Sequence, residues 1–290
     1  MDLFSIKTIK ELLDQKGLAP KKGLGQNFLV EKRVAALAVQ AAGLSAEDFV
    51  LEIGPGIGTL TAELARAAKT VTAVEKDADM VSLLKETMRG HDNISIIRGD
   101  ILTTDISSLT PLRYPHLNGV KDERGYKVVA NLPYYAAAPI IRKFLETNTK
   151  PSVMVFMTQK EVAQRICAKP PDMNILAASV QLYALPSIVS FVKKSAFWPQ
   201  PAVDSALIKL VPKQGAPPAA PAIFFAVVKA GFAHPRKQIF SNMRKSLPQH
   251  SPEIIAAWLS AQRVDPKQRA ETIALETWVS LAKTFPGNTL

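Results

Sequence analysis

A glycine-rich turn is the first feature of this sequence that could bind a ligand. In VLEIGPGIGTLTAELA, an apolar run passes through Gly54, Gly56 and Gly58 directly into an amphipathic run. Glycines between a strand and a helix let a ligand lie against bare backbone. The dinucleotide fingerprint G-x-G-x-x-G places its third glycine five positions after the first, whereas Gly58 lies four positions after Gly54. This spacing argues against a nicotinamide cofactor.

Two acidic residues follow at the ends of later apolar runs. Glu75 ends TVTAVE, 21 residues after Gly54, and Asp100 ends ISIIRGD. A carboxylate after the second strand of such a fold can accept hydrogen bonds from both ribose hydroxyls, and ligands bind at the carboxyl ends of parallel strands. Either acid alone is typical of a solvated loop. In sequence order after the glycine turn, the two indicate a nucleoside pocket.

The tetrapeptide Asn131-Leu132-Pro133-Tyr134 could act on a base in that pocket. It follows the apolar run YKVVA, and a proline there can simply end a strand. An amide side chain beside an exposed backbone carbonyl also offers two acceptors for an exocyclic amine. The neighbouring aromatic ring offers a face on which a base can stack. Together with the upstream residues, the tetrapeptide favours chemistry on an amino group.

The elements that must position these residues are predicted from hydrophobic periodicity. From Phe49 onward, short β-rich apolar runs alternate with amphipathic stretches, which predicts an α/β fold whose doubly wound, mostly parallel sheet has helices on both faces. SIVSFVKK and SALIKLVP have only a proline-rich stretch between them, so we expect an antiparallel hairpin that closes the sheet.

The chain is expected to divide into four parts. Residues 1–30 form a basic N-terminal arm, and residues 31–211 form the α/β domain. Residues 212–222, PKQGAPPAAPA, have the composition of a semi-rigid linker. Residues 223–290 are predicted to form a small all-helical, basic domain, in which Ser251 before Pro252 caps one helix.

Composition excludes several classes of protein. Of the 290 residues 47% are apolar and 21% charged, and no apolar run reaches the length of a membrane span. The charged N-terminus does not match a signal peptide, so we expect a cytoplasmic protein. One cysteine and four scattered histidines predict neither a disulfide nor a metal site. The net charge of +11 favours a polyanionic partner.

Four separated segments resemble the S-adenosylmethionine-dependent ribosomal RNA adenine dimethyltransferases. They are GLGQNFL (23–29), VLEIGPGIGTLT (50–61) with Glu75 and Asp100, NLPYY (131–135), and FWPQPAVDSALIKL (197–210). The resemblance extends from about Lys21 to Lys245. The first and last segments are the most specific. It implies a Rossmann-like methyltransferase domain, followed by a helical RNA-binding domain.

The resemblance also implies roles for individual residues. Expected around S-adenosylmethionine are Asn27, Leu29, Gly54, Gly56, Glu75, Asp100, Ile101 and Asn131. Catalysis is expected from Asn131, Leu132, Pro133 and Tyr134, with the Asn131 oxygen and the Leu132 or Pro133 carbonyl binding the amine hydrogens. Tyr134 and Phe197 would stack on an adenine that has left its helix. The RNA backbone would be held by Lys21, Lys22, Arg236, Lys237, Arg244 and Lys245.

The implied function is dimethylation of two adjacent adenosines in small-subunit ribosomal RNA during ribosome biogenesis. The substrate would be free RNA or an immature small subunit. The enzyme is expected to be a monomer and to bind no metal. Two alternatives stay open: a resistance-type methyltransferase acting on large-subunit RNA, and a non-catalytic ribosome-assembly factor. The sequence departs from the family pattern at Tyr135 and across Pro171 to Leu176. We expect these departures to alter the edge of the pocket and the fit of RNA.

Overall fold

A computed structural model describes residues 1–109 and 125–286 of the chain. The chain divides into two compact units. The first comprises Met1–Ala163 and Ser187–Pro212, and the second comprises Gln164–Pro186 and Lys213–Leu290.

The first unit is built on a seven-stranded sheet. The strands described in the chain are β1 (Phe28–Leu29), β2 (Phe49–Ile53), β3 (Thr70–Glu75), β4 (Ile94–Arg98), β5 (Tyr126–Asn131), β6 (Val153–Gln159), β7 (Ala184–Val192), β8 (Phe197–Trp198) and β9 (Ser205–Pro212). The order is β4-β3-β2-β5-β6-β9-β7, and β1 pairs with β8 in a separate antiparallel ribbon.

Strand direction confirms the predicted fold class. Strands β4, β3, β2, β5 and β6 are mutually parallel, β9 runs antiparallel to β6, and β7 lies beside β9 at the edge. Because parallel neighbours end at the same edge, the last residues of β2, β3 and β5 lie together. That edge carries most of the residues with candidate chemistry.

The helices begin and end where local sequence signals allow. They are α1 (Ile6–Asp14), α2 (Lys32–Ala42), α3 (Thr59–Ala67), α4 (Ala78–Thr87), α5 (Ala137–Glu146), α6 (Lys160–Ile166), α7 (Ile175–Tyr183), α8 (Pro221–Gly231), α9 (Ile239–Ser246), α10 (Pro252–Ala261) and α11 (Leu275–Lys283). Asp77 caps α4, and Gly43 ends α2 in a left-handed conformation. Ser251 caps α10 as predicted, with Pro252 in its first turn.

The core of the first unit includes the N-terminal residues that were expected to form an arm. Ile9 and Leu13 of α1 are at most 1% exposed. They belong to an apolar cluster with Met80 and Leu83 of α4. The arm expected over residues 1–30 is therefore packed into the first unit, because α1 has an apolar face. A second cluster joins α2 and α3 to strands β2, β5 and β6.

The second unit is helical but begins earlier than the predicted boundary. Residues 164–186 group with the C-terminal helices, although they were assigned to the α/β domain. The segment 171–176, expected as an altered loop, leads into α7, which Asn174 caps through a hydrogen bond from the backbone of Ala177. The linker expected over residues 212–222 is shorter, because α8 begins at Pro221. Among the described residues, the four helices α8 to α11 follow it.

Candidate functional site

A pocket lies at the carboxyl edge of the sheet, where β2, β3 and β5 end. It lies within the first unit. Its lining comes from residues 24–29, the glycine turn and the ends of four strands, β2, β3, β4 and β5. It includes Asn27, Leu29, Gly54, Gly56, Glu75, Asp100, Ile101 and Asn131. All eight residues expected around the cofactor therefore line one pocket.

Glycine is needed at the three positions of the turn for different structural reasons. All have positive φ: 65° at Gly54, 58° at Gly56 and 92° at Gly58. Gly54 and Gly56 line the pocket. Gly58 instead packs against α4, because a Cβ there would lie 2.7 Å from Met88 Cε. Two glycines thus open the pocket, and the third allows helix packing.

Glu75 is tied to the glycine turn. Its Oε2 accepts a hydrogen bond from the backbone N–H of Gly56 at 3.1 Å, and its Oε1 accepts one from that of Asp77 at 2.8 Å. Burial raises the pKa of Glu75, although these backbone donors favour its ionised form. A carboxylate can accept further hydrogen bonds, so Glu75 can still bind hydroxyl groups in the pocket.

Asp100 is held as an anion beside Glu75, after the neighbouring strand β4. The backbone N–H of Leu102 donates to Oδ1 at 2.9 Å, and Lys76 forms an ion pair with Oδ2 at 3.0 Å. The hydrogen bond from Leu102 and the ion pair with Lys76 lower the pKa of Asp100. Ile101, 5% exposed, presents an apolar surface beside it. Lys76 also lines the pocket, and the sequence analysis did not identify it.

The Asn131 amide is oriented by the N-terminal segment. Its Nδ2 donates to the backbone carbonyl of Asn27 at 3.1 Å, which leaves Oδ1 to accept a hydrogen bond from a ligand. Of the two carbonyls expected as second acceptor, that of Pro133 already accepts a hydrogen bond from the backbone N–H of Ala136 at 2.9 Å. The Leu132 carbonyl is the remaining candidate, although the lining of the pocket includes Pro133 and not Leu132, whose side chain is buried.

The two tyrosines after Pro133 lie in different environments. Tyr134 is half-buried, and its hydroxyl shares a 2.7 Å hydrogen bond with Ser205 Oγ. It is not among the residues that line the pocket, whereas Tyr135 is, with 59% of its surface exposed. The departure from the family pattern at Tyr135 therefore places an additional aromatic ring at the pocket edge.

Phe197 is not among the residues that line the pocket, although its pairing partner Leu29 is. The Phe197 side chain is 3% exposed and packs in the apolar cluster with Leu29 and Val34. Phe197 belongs to β8 and pairs with Leu29 of β1. The expected stacking of Phe197 on a base does not fit this position, because both faces of a buried ring are already in contact with protein.

Glu52 is a site residue that the sequence analysis missed. It lies in β2 and lines the pocket, is 1% exposed, and its Oε2 has no hydrogen-bond partner among the described residues. Burial raises the pKa of Glu52 to about 8, although the nearby Thr61 hydroxyl opposes the shift. The available signal was an acidic residue inside the apolar run FVLEI, where a solvated role is excluded.

The expected RNA-contacting residues have separate environments. Lys21 forms ion pairs with Asp77 and Asp79, each at 2.8 Å, so its ammonium group is engaged within the protein. The side chain of Lys22 lies outside the described part of the chain. The other four expected residues lie in the second unit, and all four are exposed: Arg236 and Lys237 precede α9, and Arg244 and Lys245 lie in its last turn.

Residues 1–109 and 125–286 contain neither a metal-binding cluster nor a membrane-spanning helix. No group of three or more His, Cys, Asp and Glu side chains is placed to hold a metal ion there. No helix in the same ranges combines the length and apolarity that crossing a membrane requires.

Comparison with known proteins identifies relatives along nearly the whole chain. The family model for ribosomal RNA adenine dimethylase matches residues 17–286. Two curated proteins named ribosomal RNA small subunit methyltransferase A are similar: one from Dehalococcoides mccartyi is 39% identical over 96% of this chain and 93% of its own, and one from Geobacillus thermodenitrificans is 41% identical over 95% and 94%. The crystal structure of the 23S rRNA methyltransferase ErmE has a TM-score of 0.69 and 25% identity, covering 89% of this chain and 98% of that one.

Proposed function

Because the chain belongs to the ribosomal RNA adenine dimethylase family, we propose that it methylates the exocyclic amine of adenosines in small-subunit ribosomal RNA, using S-adenosylmethionine. The observation that carries the proposal is the single pocket in which the glycine turn, Glu75 and Asp100 meet Asn131. Relatives at 39% and 41% identity bear a small-subunit name, whereas the large-subunit enzyme is 25% identical. This difference favours the small-subunit substrate.

The pocket residues fit S-adenosylmethionine. Gly54 leaves open backbone, because a Cβ there would meet nothing within 4 Å, whereas a Cβ on Gly56 would lie 3.3 Å from the Phe28 ring. Glu75 and Asp100 supply acceptors for ribose hydroxyls and for an adenine amine. Glu52 has a buried oxygen without a partner among the described residues, as expected of a group that meets a polar ligand. When bound, the cofactor would supply an electrophilic methyl group. Asn27, Leu29 and Ile101 would complete its enclosure.

The substrate amine would be held by Asn131 and its neighbours. The lone pair of an adenine amine is delocalised into the ring, which makes the nitrogen a poor nucleophile. Hydrogen bonds from the amine to Asn131 Oδ1 and the Leu132 carbonyl would favour a tetrahedral nitrogen, whose lone pair is free to react. Neither acceptor has to act as a base, because the methylated amine is cationic and releases its proton readily.

The adenine must leave its helix to reach this edge of the sheet. We assign its stacking to the two tyrosines after Pro133. Tyr134 is fixed by its hydrogen bond to Ser205, and the exposed Tyr135 lies at the pocket itself. Stacking of a base on an aromatic ring contributes about 1 to 3 kcal/mol.

The proposed partner is small-subunit RNA, free or in an immature subunit. Two adjacent adenosines would each receive two methyl groups from a monomeric, cytoplasmic enzyme. In the second unit, the exposed cations Arg236, Lys237, Arg244 and Lys245 would hold RNA phosphates, which predicts strongly salt-dependent binding.

The proposal is tested by the position of the transferred label. The protein is incubated with labelled S-adenosylmethionine and immature small subunits, large subunits or free small-subunit RNA, and the RNA is digested to nucleosides. Dimethyladenosine from the small subunit, at two adjacent positions, is the expected product. Label only in large-subunit RNA would identify the resistance-type reaction. Tight binding to small subunits without label would identify a non-catalytic assembly factor.

A further inference from the structure

Strand β7 exposes an aromatic ring at the edge of the sheet. Its residues alternate in exposure, so that Val189 and Phe191 point to solvent at 37% and 55% exposure. Large apolar side chains at the edge of a sheet are a risk for aggregation unless charge protects them or a partner covers them. The surroundings of Phe191 indicate which kind of partner this surface fits.

One lysine contacts the ring, and two more follow it closely in the chain. Lys160 Nζ lies 5.2 Å from the centroid of Phe191, and the exposed Lys193 and Lys194 follow two and three residues later. Among the residues that the structure describes, none of the three ammonium groups forms an ion pair with a carboxylate. The centres of protein–protein interfaces are depleted in lysine, whereas aromatic rings among lysines are typical of single-stranded nucleic-acid sites.

The ring also lies where the parallel strands β5 and β6 end, which is the end of the sheet that carries Asn131. Lys160 directly follows β6, and its backbone N–H donates to the carbonyl of Asp204 at 3.0 Å. Asp204 Oδ1 in turn accepts a hydrogen bond from the backbone N–H of Lys194 at 3.0 Å. The next residue, Ser205, holds the Tyr134 hydroxyl. A short run of contacts thus connects this surface to the tetrapeptide that ends β5.

We propose that Phe191 and the three lysines form a binding site for a single-stranded RNA segment next to the target adenosine. The inference rests on the proposed function and adds a contact to its substrate. A base would stack on the open part of the Phe191 ring, and Lys160, Lys193 and Lys194 would bind the neighbouring phosphates. Such a segment is available, because an adenosine that reaches the pocket must leave its helix and unpair its neighbours.

The experiment compares substitutions that separate stacking from apolarity. Phe191→Leu keeps an apolar side chain without an aromatic face, and Phe191→Trp keeps the face. Binding of immature small subunits to the full-length protein is measured over a range of salt concentrations. We expect Phe191→Leu and Phe191→Ala to raise the Kd about tenfold, and Phe191→Trp to restore binding. Changing all three lysines to methionine should reduce the slope of log K against log salt by about two.

A control lies at the other end of the parallel strands, where β2 begins. There Lys69 Nζ is 5.5 Å from the ring of Phe49, at the beginning of β2. Lys69→Met should leave subunit binding within twofold, and none of these variants should change the Kd for S-adenosylmethionine. Full affinity in Phe191→Leu would overturn the inference. So would a change in self-association without a change in RNA binding, which would make this surface a protein interface.

The outcomes also separate this inference from the proposed function. Wild-type protein that methylates small-subunit RNA, with Phe191 variants that bind it equally well, refutes the RNA site alone. Wild-type protein that neither binds nor methylates small subunits refutes the proposed function.

Discussion

Asp77 connects the N-terminal segment to the pocket, and its removal should weaken cofactor binding. Its carboxylate accepts hydrogen bonds from Lys21 Nζ and Gln26 Nε2, both at 2.8 Å, and from the backbone N–H of Asp79 at 3.1 Å. The last of these caps α4. Residues 24–29 line the pocket, so these side-chain contacts hold one pocket wall in place.

Asp77→Ser removes the contacts with Lys21 and Gln26 and keeps the helix cap. Serine is as good an N-cap as aspartate, so α4 should begin unchanged. A hydrogen bond to a charged group contributes about 1.5 to 3 kcal/mol, but the Lys21 side chain is 43% exposed, and its ion pair contributes little. The carboxylate should therefore stabilise the segment by about 2 kcal/mol. If the segment must be ordered to bind S-adenosylmethionine, the Kd should rise by up to about thirtyfold.

The assay is isothermal titration calorimetry with S-adenosylmethionine, combined with urea unfolding. Asp79→Ser is the graded control, because Asp79 contacts Lys21 from an exposed position, and we expect less than a threefold change. Asp77→Ala should lose about 1 kcal/mol more in the free energy of unfolding, since it also removes the cap. An unchanged Kd in Asp77→Ser would refute the reasoning. So would tighter RNA binding caused by release of Lys21, which would restore its role as a phosphate contact.

The pH dependence follows from the same carboxylate. Burial acts to raise the pKa of Asp77, but hydrogen bonds from Lys21, Asp79 and Gln26 outweigh it and leave the pKa below its ordinary value. A carboxylate whose pKa is depressed in the folded protein stabilises the fold at pH values above its ordinary pKa near 3.8. This contribution is lost as the pH falls from that value through the lower pKa of the folded protein. The difference in unfolding free energy between wild type and Asp77→Ser should therefore be constant from pH 6 to 8 and vanish in strong acid.

Four further substitutions test pocket residues and the packing of the glycine turn. Glu52 has a raised pKa of about 8, so the unfolded chain loses this proton first as pH rises. Urea unfolding should show Glu52→Gln more stable than wild type by about 5 kcal/mol at pH 9, with no difference below pH 4. Gly58→Ala combines a φ of 92° with a Cβ 2.7 Å from Met88 Cε, and should destabilise by about 2 kcal/mol. Gly17 has a φ of 64° and open space around it, so Gly17→Ala measures only the cost in unfolding free energy of a side chain at positive φ. An equal loss of stability in the two variants would show that the contact with Met88 adds nothing. Asn131→Ala should lower kcat with small subunits by about 30- to 1000-fold, and a loss below threefold would count against Asn131 as an amine acceptor.

The fold class and the position of the pocket could be predicted because their signals are local. Alternating apolar runs require a layered sheet and helices, and parallel strands bring their carboxyl ends to one edge. Glu75, Asp100 and Asn131 each follow such a run, so their proximity needed no knowledge of side-chain contacts. The same logic placed the Ser251 cap, since a cap is decided within four residues.

The boundary between the two units depended on longer-range contacts. Residues 164–186 follow an α/β pattern in sequence, yet they group with helices about a hundred residues later. The backbone of Met173 donates to the carbonyl of Glu271 at 3.0 Å, a contact that no local pattern indicates. Composition located the proline-rich stretch after Pro212, but not the earlier segment.

The sequence alone determined that the glycine turn, Glu75, Asp100 and Asn131 meet at one pocket, because each lies at the end of an apolar run that forms a parallel strand. The tertiary structure decided what those residues are free to do. Lys21 is engaged by Asp77 and Asp79, Phe197 is enclosed by apolar side chains, and Glu52 is deprived of solvent. Each outcome depends on groups distant in the chain. Charge pairing, burial and desolvation arise only when folding brings such groups together.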